Sequence, residues 1–137
     1  FDHAMVGVVH SMAHAVGAIS HVPHGLANSI LLPWGMEYNF EAVGKKYGEL
    51  AKVLGVQSPD TDLTKAGRQS IQAVRQLRST LKKLCGLADC LQEAGVQQSD
   101  LATIAPLAVE DGSTFYNPRE VIEDEILATL EKAYPAI

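Results

Sequence analysis

Apolar residues recur along this chain with the spacing of helices. Residues 4 to 20 carry Val8, Val9, Met12, Ala13, Ala15, Val16, Ala18 and Ile19, apolar almost all the way round, which predicts a buried first helix. Pro23 stops that helix. The apolar run that follows predicts a second from 24 to about 39, kinked or broken at Pro33 and Gly35. From Glu41 the pattern turns amphipathic, with Val43, Tyr47, Leu50, Ala51 and Leu54 opposite Lys45, Lys46, Glu49 and Lys52, and Gly55 placed to close the helix in a left-handed conformation. Asp60, Thr61 or Asp62 can cap the next helix, about 63 to 84. Its stripe of Ile71, Val74, Leu77, Leu81 and Leu84 predicts the packed side, and Lys65, Arg68, Arg75, Arg78, Lys82 and Lys83 a solvated face. An irregular stretch through Gly95 packs Leu87, Leu91 and Val96. Ser99 or Asp100 then starts a fifth helix that ends at Asp111-Gly112, and a sixth spans about 120 to 134. Its Glu120, Glu123, Asp124 and Glu125 lie at the positive end and Lys132 at the negative end, as the helix dipole favours.

No segment alternates as a strand does, and no glycine-rich phosphate loop follows one. The expected fold is therefore all-α, a bundle of about six helices forming one domain over 1–137, with no nucleotide site of its own. With 16 acidic against 11 basic side chains the formal charge is −5, which leaves no basic footprint for nucleic acid. The apolar runs are too short for a membrane span. Cys85 and Cys90 are the only cysteines; they make no disulfide framework, and a reducing, cytoplasmic setting is expected. The chain starts Phe-Asp-His, as though in the middle of a longer protein.

The chemistry is concentrated at one end. All five histidines, His3, His10, His14, His21 and His24, lie within the first 24 of 137 residues. Imidazole is both a common metal ligand and the side chain that moves protons near neutral pH, so a metal site and a proton relay are both open. His10 and His14 stand one turn apart on one helix face, and this spacing taken alone pairs them as ligands. The turn at Pro23-His24-Gly25 brings His24 back toward that face. A zinc-protease reading is weak, because His10-Ser-Met-Ala-His14 lacks the glutamate of His-Glu-x-x-His.

Two strings carry a resemblance. Gly7-x-x-His10-x-x-x-His14-x-x-Gly17, followed by Pro23-His24-Gly25-x-Ala27-Asn28-x-Ile30-Leu31-Leu32-Pro33, resembles the signature of the iron-containing (group III) alcohol dehydrogenases. Asp111-Gly-Ser-Thr-Phe-Tyr-Asn117-Pro118-Arg119 resembles the loop near that family's C-terminus. The resemblance implies that the chain is the family's C-terminal helical domain, which carries most of the metal site, and that an N-terminal dinucleotide-binding domain is a missing partner. It makes His10 and His24 ligands of Fe2+, or of Zn2+ in its place, which replaces the pairing of His10 with His14. His14 becomes the catalytic residue that faces nicotinamide and substrate, and thus also a cofactor contact. His3 and His21 match no ligand. The implied activity is interconversion of alcohols with aldehydes or ketones using NAD or NADP, in a homo-oligomer, with this fragment inactive alone. The alternative is a non-enzymatic helical module that keeps the metal signature and binds a partner or a second copy. An uncovered apolar patch beside His10 and His24 marks the fragment; a self-sufficient module lacks one.

Overall fold

The computed structural model describes residues 5–56, 58 and 62–135, and every regular element among them is helical. Six α-helices follow in order: α1 (Val8–Ser20), α2 (His24–Tyr38), α3 (Phe40–Val53), α4 (Leu63–Cys85), α5 (Leu101–Glu110) and α6 (Glu123–Ala133). Short 3-10 turns at Gln98–Asp100 and Gly112–Tyr116 flank α5. Among the described residues no helix is long and apolar enough to cross a membrane.

The elements separate into two packing units. Helices α1, α2, α5 and α6 enclose the main core, where Met12, Val16, Ile30, Leu31, Leu91, Ile104, Ile126 and Leu130 are fully buried. Helices α3 and α4 form an antiparallel hairpin that rests on α2 through a smaller cluster of Met36, Phe40 and Ile71. The hairpin closes over small residues. A Cβ at Gly67 would lie 2.2 Å from the Gly44 carbonyl oxygen, and one at Gly48 would lie 2.1 Å from that of Leu63. Backbone therefore meets backbone along Gly44, Gly48, Gly67 and the buried Ala51, Ala66 and Ser70.

That seam reverses the faces expected of α4. Leu77 and Leu84 are 59% and 78% exposed, Val74 and Leu81 only half-buried, and Ile71 alone of the stripe is buried. The charged face is largely a packing face: Arg68 covers the Phe40 ring at 4.2 Å, Arg75 covers Trp34 at 4.7 Å and pairs with Glu37 at 2.8 Å, and Arg78 is buried, donating to the Asp89 carbonyl. Guanidinium groups stack on aromatic faces while their stems cover apolar surface, so arginine at a helix face does not imply solvent. Lys82 is also held, by Asp89 at 2.8 Å and Glu93 at 2.6 Å.

Other boundaries differ from expectation for local reasons. α1 begins at Val8 because Asn117 Oδ1 accepts the Val8 N–H at 3.1 Å and the chain before it is not helical, Met5 having a φ of 54°. α2 runs through Pro33 to Tyr38 without a break, and Asn39 alone separates it from α3. α6 begins at Glu123, leaving Glu120 outside it. Asp100 precedes α5 but makes no side-chain cap there; its carboxylate faces Ser20 and Ser99. Gly55 and Gly86 close α3 and α4 with positive φ, and Asp62 caps α4 by accepting from Thr64 and Lys65 N–H groups, each at 2.9 Å. Asp60 and Thr61, the other candidate caps, lie outside the described residues.

His21 closes α1 with φ 56°, donating its N–H to the Gly17 carbonyl at 3.1 Å. Its role is thus conformational, and glycine reaches that backbone state without the penalty a Cβ brings. His21→Gly is expected to raise stability by about 0.5 kcal/mol, read as the midpoint of urea unfolding.

Candidate metal centre

Helix α1 supplies two of the three converging imidazoles. Its apolar sides, Val8, Met12, Ala13, Ala15 and Val16, are buried in the core, which turns His10 and His14 outward on successive turns of the remaining face. His24 opens α2 immediately after Pro23, the N-cap residue, whose carbonyl accepts the Ala27 N–H at 3.0 Å. α2 then packs against α1 so closely that a Cβ at Gly35 would lie 2.3 Å from Val9 Cγ2. The tight crossing fixes where the start of α2 stands relative to α1. His10, His14 and His24 consequently line one cavity of about 320 Å³, completed by Met5, Val6, Gly112, Ser113 and Tyr116.

The three rings are not equivalent. The centres of His10 and His24 are 5.4 Å apart with planes inclined at 53°. An ion about 2.1 Å from a ring nitrogen lies about 3.2 Å from the ring centre, so two imidazoles at a tetrahedral angle have centres about 5.2 Å apart. The observed spacing fits one shared ion. His14 and His24 are stacked, 5.1 Å apart and 20° between planes; lone pairs of nearly parallel rings run side by side and do not meet. His10 and His14 stand edge to face at 6.1 Å.

Hydrogen bonding separates the roles further. His14 Nδ1 lies 2.9 Å from Asp111 Oδ2, and Asp111 Oδ1 accepts the Ser113 N–H at 2.8 Å. The Asn28 amide nitrogen lies beside both nitrogens of the His24 ring, 3.0 Å from Nε2 and 3.3 Å from Nδ1, and donates to the His24 carbonyl at 3.0 Å. Burial, reinforced by His24 and His14, holds the His10 imidazole below its ordinary pKa although Asp111 pulls the other way. A neutral ring keeps its lone pair for a cation. Burial pushes the Asp111 carboxyl up, but the Ser113 hydrogen bonds and His14 outweigh it and the net shift is downward.

Two imidazoles are fewer than the three protein ligands of an open catalytic zinc site. Among the described residues, the one group of three ligating side chains close enough to share an ion is Asp89, Cys90 and Glu93. Lys82 already takes both of its carboxylates. His3 lies outside the described residues, and His21 serves as the α1 cap. Asp111 is the site residue whose role the sequence does not reveal: it ends a helix and opens the second resembling string, and only the fold brings it to His14, 97 positions away.

Beside the histidine cavity runs a larger groove of about 760 Å³ between the start of α1 and α2 and the α3–α4 hairpin. His10 and His24 share its wall with Val9, Leu32, Val74, Leu77 and Leu81. The misplaced stripe of α4 thus faces this groove.

A family model described as "Fe-containing alcohol dehydrogenase family, C-terminal" matches residues 1–134. The chain is 36% identical over 134 residues to lactaldehyde reductase of Escherichia coli K12, covering 98% of this chain and 34% of that protein. It is 34% identical to 1,3-propanediol dehydrogenase of Klebsiella pneumoniae, with the same coverage. The solved structure of a 1,3-propanediol oxidoreductase superposes with a TM-score of 0.86 at 34% identity, over 93% of this chain and 32% of the other. The chain spans about a third of the length of these relatives.

Proposed function

Because the chain belongs to the Fe-containing alcohol dehydrogenase family, as its C-terminal helical domain, we propose that it contributes the metal-binding half of an NAD(P)-dependent enzyme interconverting alcohols with aldehydes or ketones. The observation that carries this reading is the approach of His10 and His24 to 5.4 Å across one cavity. These two imidazoles would hold a divalent ion, iron or zinc, with the remaining ligands supplied by polypeptide outside this chain. When bound, the ion supplies Lewis acidity, favouring ionisation of the alcohol and polarising the carbonyl in the reverse direction.

The chain's own residues do the rest by placement. His10 stays neutral and available as a donor. His14, with Nδ1 engaged by Asp111, has Nε2 as its free nitrogen and lines the cavity in which substrate and nicotinamide meet. There it orients the reactants or accepts the hydroxyl proton: the O–H bond breaks, an Nε2–H bond forms, and the electron pair stays on oxygen. The nicotinamide, held by the partner domain, would supply the hydride acceptor for the substrate carbon. Small alcohols and aldehydes suit a cavity of this size.

The apolar groove beside the histidines supports a covering domain in the complete protein, and homo-oligomerisation and cytoplasmic residence belong to the same reading. A self-sufficient helical module calls for no such uncovered groove, and it gives no reason for the carboxylate-tethered histidine in the adjoining cavity. The chain alone is expected not to reduce NAD or NADP with ethanol, butanol or propanediol, and to bind iron or zinc weakly. Turnover above background by purified 1–137, followed at the absorbance of the reduced nicotinamide, overturns the expectation that this chain is inactive alone.

A further inference from the structure

We propose that Asp111 is the positioning residue of His14: its carboxylate holds the imidazole in the Nδ1–H tautomer and so presents Nε2 to the cavity as an acceptor. The benefit to catalysis rests on the function proposed above; the tautomer does not.

An ionised carboxylate only accepts hydrogen bonds, so a 2.9 Å contact from Oδ2 to the Nδ1 of a neutral His14 requires the ring proton on Nδ1. The carboxylate is not free to turn away. Ser113 N–H holds Oδ1 at 2.8 Å, and the Asp111 carbonyl accepts from Thr114 Oγ1 at 2.8 Å and Thr114 N–H at 3.0 Å. The ring is held on its other side by the stack with His24. Two fixed contacts therefore set both the plane of the His14 ring and the nitrogen it leaves open.

A simple ion pair joining α1 to the turn at Gly112–Tyr116 is the competing account. Such a pair, half exposed at His14, is worth about 0–1 kcal/mol. It carries no requirement that the histidine line a cavity or keep one particular nitrogen unprotonated. The two accounts separate on substitution. In Asp111→Asn the Ser113 N–H still demands an acceptor, which turns the new amide nitrogen toward His14. An N–H facing Nδ1 forces the ring proton onto Nε2.

The experiment reads the His14 imidazole nitrogens of 1–137 by two-bond 1H–15N correlation, above the pH at which the ring titrates. The wild-type chain is expected to show the Nδ1–H tautomer and Asp111→Asn the Nε2–H tautomer. A wild-type Nε2–H ring, or an unchanged pattern in Asp111→Asn, overturns the proposal. In the complete two-domain enzyme the same substitution is expected to lower kcat by about 10²–10⁴, with metal content and the KM for alcohol unchanged. A kcat within twofold of wild type, or loss of the metal, overturns it. Because the tautomer is read without metal, nucleotide or substrate, its failure and failure of the metal assignment are separate results.

Discussion

Replacing His24 with alanine in the complete two-domain enzyme is expected to leave a folded protein that no longer retains its metal. His24 is exposed at the first turn of α2, so its loss opens no core cavity and the change reads on the ion alone. An open catalytic site relies on about three protein ligands, and deleting one of two imidazoles that meet at 5.4 Å leaves this domain with a single donor. His14 cannot step in, since its Nδ1 is committed to Asp111 and its ring runs nearly parallel to where His24 stood. His14→Ala should behave differently, keeping the metal while turnover falls by about 10²–10⁴. Elemental analysis decides the matter: full iron or zinc occupancy in His24→Ala refutes its assignment as a ligand, and metal loss in His14→Ala refutes the division of roles.

The second large effect is on stability and falls far from the histidines. Gly67→Ala should destabilise the chain by about 1–3 kcal/mol, although alanine is the better helix former by about 1 kcal/mol. The new Cβ would stand 2.2 Å from the Gly44 carbonyl oxygen, which is backbone and cannot rotate aside. The helices must instead move apart along a seam where Gly48 allows the same close approach, a Cβ there falling 2.1 Å from the Leu63 carbonyl oxygen. Gly25→Ala is the matched comparison, because nothing lies within 4 Å of its Cβ, and it should gain about 0.5–1 kcal/mol. Urea unfolding of the two variants beside the parent tests the contrast; equal midpoints would mean the hairpin is not closed by backbone contact.

How much of this was legible beforehand depends on what each residue signals. The helices of the main core were legible because Met12, Val16, Ile30, Leu31, Ile126 and Leu130 mark their faces by size and apolarity. The end caps at Gly55 and Asp62 were legible because their chemistry is local. The α3–α4 seam was not: glycine, alanine and serine carry little hydrophobic signal, and what they contribute is closeness. Leu77 and Leu84 were misread for the same reason, since large apolar residues count as core wherever a periodicity places them. Pro33 suggested a break, but the burial of Ile30, Leu31 and Met36 around it outweighs the missing hydrogen bond, and α2 continues. At the candidate site the histidines announced themselves by crowding. Asp111 showed only as the start of the second resembling string, because its partner, His14, is set by the fold.

The division into two packing units also decides what light the molecule gives. The chain contains one tryptophan, and Trp34 sits where the bundle meets the hairpin, packed against the main core beneath the Arg75 guanidinium. Indole emission therefore watches the docking of α4 onto α2, not the bundle's interior. Circular dichroism sums every helical turn, so the two signals coincide on unfolding only if both units let go together.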